Sequence, residues 1–270
     1  MRPSKTVPTN VNSVRPADIK LVMALGDSLT AANGAGAEDA VAVFLQYRGL
    51  AFQAGGDGTL DNHITIPNIL KKYNPKLFGY SVGIGSPNVW EISYLNVAVP
   101  GAIAADLPGQ ARTLVSLLHN HPETLQPSEC VQHIQDAIQI IYDNVPRVIV
   151  SVTAMLQLEI LRQSDKGRPW CKDLHKCARH RTPIIHQFQD GQVNREFFAP
   201  DCFHFSQWGH ALVSSWLWKN ILEPVGAKTT KGSADEPSLP LACPDPACPF
   251  IRTNANSKDC SEYLTPTAGN

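Results

Sequence analysis

Three side chains have the types and the order needed for nucleophilic hydrolysis. Ser28 lies in Leu25-Gly26-Asp27-Ser28-Leu29-Thr30, after the apolar, β-prone run Ile19-Lys20-Leu21-Val22-Met23-Ala24. The small residues Ala31 to Gly36 follow it and suit a tight loop. A strand that stops at a glycine can hand a hydroxyl to the C-terminal edge of a sheet, where ligands of open α/β sheets bind. A serine nucleophile needs a base. The best candidate is His204, in Asp201-Cys202-Phe203-His204, with Asp201 three residues before it to orient the imidazole. Ser, Asp, His is a workable order, because such a triad is defined by geometry and not by position in the chain. The elbow pattern G-x-S-x-G is absent, since position 30 is Thr. A plainer reading makes Asp27 or Ser28 an N-cap, and Asp201 the cap of the helix that follows. His210, six residues beyond His204, is expected to face outward or to cap that last helix rather than to serve as base.

The elements that must position these residues read as α/β. Residues 19–25 form the first strand, and a helix-compatible segment spans Ala37 to Arg48. A Gly-rich turn comes at Gly55 to Gly58. Pro67 stands where a helix first turn tolerates it, so 67–73 reads as a short helix. Tyr94 to Ala98 is a second strand running toward Gly101, and Asp106 to His119 is amphipathic and helical. Val131 to Asp143 carries apolar residues at 131, 134, 137, 138, 141 and 142, which predicts another helix. Val148-Ile149-Val150-Ser151-Val152 is continuous and β-branched, as in a parallel strand buried on both faces. Ala211 to Leu222 is an apolar helix-like run.

Gly26-Asp27-Ser28-Leu29, Leu95-Asn96-Val97-Ala98-Val99-Pro100-Gly101-Ala102 and Phe197 to Phe205 resemble the GDSL (SGNH) hydrolases. Tyr47-Arg48-Gly49-Leu50, Gly55-Gly56-Asp57-Gly58, Leu70 to Pro75 and Leu222 to Gly226 are similar to the membrane-associated phospholipase B branch. The resemblance covers roughly residues 7 to 230. It implies a flavodoxin-like three-layer α/β/α fold with a mostly parallel sheet. It also implies ester hydrolysis on phospholipids, lysophospholipids or related lipid esters, met at a membrane or micelle surface. Ser28, Asp201 and His204 would be catalytic, and the backbone N–H groups of Ser28 and Gly101 would form the oxyanion hole. No cofactor or metal is implied.

Two departures from that pattern stand out. Between His119 and Val131 the family carries an apolar strand ending in Gly-Gly-Asn-Asp, whose Asn completes the oxyanion hole. Here the sequence is Asn120-His121-Pro122-Glu123-Thr124-Leu125-Gln126-Pro127-Ser128-Glu129. A second shortening lies between Leu161 and Phe197. The expectation is therefore a sheet lacking one central strand and an enzyme of reduced activity. A lipid-binding relative with impaired catalysis and a non-functional isoform are the alternatives.

The chain has 270 residues, enough for one sizeable α/β domain, and a formal net charge of −1. There is no basic field to suit nucleic acid. Residues 1–17 read as an extended lead-in, 18–230 as the hydrolase domain, and 231–270 as a Pro-rich, Cys-containing linker or packed-on extension. Met1 to Thr6 leads into polar residues with no apolar core of a signal peptide, and no run approaches 18 apolar residues. The family resemblance nonetheless implies an extracellular or cell-surface protein. Of seven cysteines, Cys171–Cys177 and Cys243–Cys248 are the expected local bridges. A zinc site from Cys171, Cys177, His175 and His180 is disfavoured, since its spacing matches no recognised zinc pattern.

Overall fold

A computed structural model describes residues 1–121, 133–145, 148–153, 195–230, 232 and 241–264. Its α-helices are α1 (Ile66–Tyr73), α2 (Trp90–Ser93), α3 (Leu107–Asn120), α4 (His133–Asn144), α5 (Gln207–Leu222) and α6 (Ser261–Leu264). Their starts follow from the sequence. The Thr65 side chain accepts from the Asn68 N–H to cap α1, Pro108 stands in the first turn of α3, and the Ser206 side chain accepts from Gly209 N–H to cap α5. Buried Ala111, Leu114 and Leu118 give α3 one apolar stripe, and Ala137, Ile140 and Ile141 do the same for α4.

The segment before Ser28 is the axis of the packing. Its residues alternate, with Val22 and Ala24 facing a core shared with Ile69 and Leu70 of α1 and Ala211 and Trp218 of α5. Leu21, Met23 and Leu25 face a second core built from Leu114 and Leu118 of α3 and Ile140 and Ile141 of α4. Helices thus lie on both sides of an extended centre, as α/β layering requires. The pairing at that centre is sparse but parallel. Leu21 bridges Phe78, Ala24 bridges Asn96, and Gly55 bridges Ser81. Ala24 N–H donates to Leu95 C=O at 3.0 Å, Val97 N–H to Ala24 C=O at 3.0 Å, and Val99 N–H to Gly26 C=O at 3.1 Å. Among the described residues these remain single bridges and no regular strand forms, so the strands expected over 19–25 and 94–98 are present only as short parallel pairings.

Three expectations are corrected. Residues 37–48 form no α-helix; they make 3₁₀ turns at Ala42–Phe44 and Arg48–Leu50. The reason lies in the backbone, for Asn33 bridges Gln46 and Gly34 N–H donates to Leu45 C=O at 3.0 Å, which folds this segment back on the turn after Ser28. Residues 148–153 are not a buried strand: Val152 is 63% exposed, and no described backbone pairs with them. A β-branched run needs a neighbour to become a strand. Finally, Cys248 bonds Cys260 while Cys243 is free and exposed, because Cys248 and Phe250 turn inward and Cys243 does not. Cys171–Cys177 and the segment 122–132 lie outside the described residues.

The C-terminal stretch packs on the domain. Trp218 Nε1 donates to Ala242 C=O at 2.7 Å, Ile251 N–H donates to Val14 C=O at 2.9 Å, and Asn256 Nδ2 donates to Asn12 C=O at 2.9 Å.

Candidate active site

Ser28 sits on a turn braced from several sides. Gly26 (φ +154°) lets the chain turn tightly, for a Cβ there would lie 2.3 Å from Thr30 Oγ1. Gln110 of α3 clamps both backbone groups of Gly26, accepting from its N–H and donating to its C=O at 2.8 Å each. Asp27 Oδ1 accepts from Leu29 N–H at 2.9 Å, so this carboxylate shapes the turn. Beyond Ser28, Gln53 Nε2 donates to Thr30 Oγ1 at 2.7 Å and buried Asn96 Nδ2 donates to Thr30 C=O at 3.0 Å.

Asp201 and His204 lie on a tight loop closed by a Phe198–Phe205 antiparallel bridge, with Cys202 at φ +61°. His204 Nδ1 meets Asp201 Oδ2 at 2.5 Å, and Asp201 Oδ1 accepts from the N–H groups of Phe203 and His204 at 3.0 Å each. Burial works to raise the Asp201 pKa, but the hydrogen bond and charge of His204 and the two amides outweigh it and hold the carboxyl below its usual range. An ionised partner at Nδ1 puts the ring proton there and leaves Nε2 as the lone pair. Nε2 is buried and has no hydrogen-bond partner.

The two loops share one wall. Leu29, next to Ser28, packs against the cluster of Phe52, Phe197, Phe198, Phe205 and Leu212. A Cβ at Gly34 would lie 3.2 Å from Ala199 Cβ, in the loop that carries Asp201. Gly101 is exposed at φ +80°, two residues after Val99, whose N–H holds Gly26. Among the described residues, the N–H groups of Ser28 and Gly101 donate to no other group.

His210 neither faces outward nor caps α5. It is wholly buried, its Nδ1 accepts from Phe52 N–H at 3.2 Å, and its ring stacks on Phe52 at 5.8 Å. Burial, then the proximity of His63 and His204, pushes its pKa down to about 3, so it is neutral at pH 7. Arg48 is likewise fully buried. It donates to the carbonyls of Gly85, Asn96 and Ala98 and to Gln46 Oε1, and burial lowers its pKa to about 10, which leaves it a cation. It thereby fixes the segment that leads to Gly101. Among the described residues no group of three or more His, Cys, Asp or Glu could hold a metal ion.

Residues 22–217 match the profile of the GDSL-like Lipase/Acylhydrolase family. The chain belongs to this family. Among curated proteins this GDSL chain is 35% identical to "Phospholipase B1, membrane-associated" of Homo sapiens and 33% identical to that of Rattus norvegicus, over 94% and 95% of its own length. It spans only 22% and 23% of those two relatives. The alignments run to 332 and 331 positions, more than the 270 residues of the chain, so the relatives carry segments with no counterpart here. No solved structure matches it. None of its described helices is long and apolar enough to cross a membrane.

Proposed function

We propose that this GDSL chain hydrolyses carboxylic esters of phospholipids, lysophospholipids or related lipids through Ser28, His204 and Asp201. The observation that carries the reading is the His204 imidazole: anchored at Nδ1 by an ionised Asp201, with Nε2 buried and unpartnered, on a loop whose Phe198 and Phe205 share an apolar cluster with Leu29, the neighbour of Ser28. His204 Nε2 takes the Ser28 Oγ proton as Oγ attacks the ester carbonyl, and returns it to the leaving alcohol as the tetrahedral intermediate collapses to an acyl-enzyme. Water, activated by the same nitrogen, then releases the acid. The uncommitted N–H groups of Ser28 and Gly101 hold the oxyanion. The family's oxyanion Asn has no equivalent between His119 and Val131, and loss of one such donor costs about 2.7–4 kcal/mol, or roughly 10² to 10³ in rate. The enzyme is therefore slow for its family.

Hydrolysis of a short-chain ester by wild type, Ser28→Ala and His204→Ala tests this. Both variants are expected to fall to background with unchanged melting temperatures; activity that survives Ser28→Ala would refute it. The relatives' extra aligned positions favour a second reading, a lipid-binding relative without turnover. Lipid binding by a wild type that cleaves no ester would select it.

A further inference from the structure

Six large apolar side chains stand exposed on three loops: Val41, Phe44 and Leu45, then Ile84, then Val99 and Ile103. Val41 is 79%, Phe44 78% and Ile103 67% exposed. Isolated exposures of this kind need no explanation, but a contiguous group does. These loops converge on one buried guanidinium. Arg48 Nη2 donates to Gln46 Oε1 at 2.7 Å and Ala98 C=O at 2.6 Å, its Nε donates to Gly85 C=O at 2.8 Å, and Gly85 N–H donates to Gln46 C=O at 3.0 Å. Gln46, Gly85 and Ala98 are the chain neighbours of Leu45, Ile84 and Val99.

The same loops border the reaction site. Gly34 N–H holds Leu45 C=O, and a Cβ at Gly34 would touch Val43 on one side and Ala199 of the Asp201 loop on the other. Val99 N–H holds Gly26. The apolar tips are fixed in place, since Asp39 Oδ1 accepts from the N–H groups of Val41 and Ala42 at 2.8 Å each and Asp106 Oδ2 accepts from Ile103 N–H at 2.8 Å. Val43 is buried beneath while Phe44 points out. Residues 40–47, 84–89 and 97–105 contain no charged side chain; of the charges beside the first and third loops, Glu38, Asp39 and Asp106 are acidic, and the one cation, Arg48, is fully buried. A rim with exposed apolar tips and, among the described loops, no exposed cation fits a neutral surface and not an anionic one.

We propose that this rim docks the chain on a zwitterionic phospholipid surface, so that the scissile ester reaches Ser28 from the lipid side. The inference rests on the reading of the chain as a lipid-ester hydrolase. The test uses the full chain and the variant Val41→Ser/Phe44→Ser, each also with Ser28→Ala, in sedimentation with phosphatidylcholine vesicles. Turnover of a water-soluble short-chain ester is measured alongside. The double variant is expected to bind vesicles at least about tenfold more weakly, while soluble-ester turnover stays within twofold. Binding by the parent is expected to be insensitive to salt between roughly 0.1 and 1 M, over which the Debye length shrinks to a few ångströms. Vesicle binding unchanged in the variant, lost with salt, or absent from the parent overturns the proposal. So does a concentration-dependent dimer that the substitutions abolish, which would give the rim to a second copy of the chain. Because the Ser28→Ala pair reports binding without turnover, failure of the docking surface is separable from failure of the esterase reading.

Discussion

At the scale of single residues, His210 and His204 lie six positions apart and do opposite things. His204 is oriented at Nδ1 by a carboxylate, whereas His210 is wholly buried and its Nδ1 accepts from the backbone N–H of Phe52. His210 has an ordinary pKa of 6.5 and a folded value of about 3, so the unfolded chain binds its proton more readily. The stability this group contributes is complete above pH 6.5 and drains away as pH falls from there toward about 3. His63, also held down by burial, adds to the same slope. Replacing His210 by Gln should lower the melting temperature at pH 7, because Phe52 N–H then loses a shaped acceptor, and should flatten the fall in melting temperature between pH 6.5 and 4. Melting curves of the two proteins across that range check this; parallel curves would mean the His210 ring is solvated. Ser28, Asp201 and His204 could be proposed from the sequence because each sits in a short pattern. Gln110, Gln53, Asn96 and Arg48 could not. Gln110, Asn96 and Arg48 act on backbone groups 50 to 84 residues away and Gln53 on the Thr30 hydroxyl 23 residues away, and a side chain that serves a distant group leaves no local trace.

At the scale of elements, α3 is tied to the nucleophile turn by one side chain. Gln110→Ala leaves the N–H of half-buried Gly26 without its partner and its C=O with the Val99 N–H alone, a cost of about 1 kcal/mol. It should lower kcat on a short-chain ester by more than tenfold while raising KM less than threefold, since it alters where Ser28 stands and not what the cleft binds. Equal changes in both would place Gln110 in scaffold packing alone. The helices α1, α3, α4 and α5 could be read in advance from caps and apolar spacing. Residues 37–48 could not, because the pairing of Asn33 with Gln46 that overrides local preference joins two parts of a loop. Residues 148–152 misled for the converse reason: β-propensity reports fit to a pleated surface and says nothing of whether a neighbouring strand exists to supply it.

At the scale of the whole molecule, the relatives carry more aligned positions than this chain has residues, and the sequence between His119 and Val131 contains no Gly-Gly-Asn-Asp. Inserting an apolar strand ending in Gly-Gly-Asn-Asp there should raise the melting temperature and raise kcat by roughly 10² or more, because an oxyanion donor acts in the transition state. Changing the inserted Asn to Ala should cancel the rate gain and keep the stability gain. The central claim, that Ser28 is the nucleophile that His204 activates, is tested most directly by mass spectrometry after treatment with a fluorophosphonate. The account predicts one adduct, on the peptide bearing Ser28, and a labelling rate at least about tenfold lower in His204→Ala. An adduct on another residue, or labelling of Ser28 at an undiminished rate without His204, would contradict it.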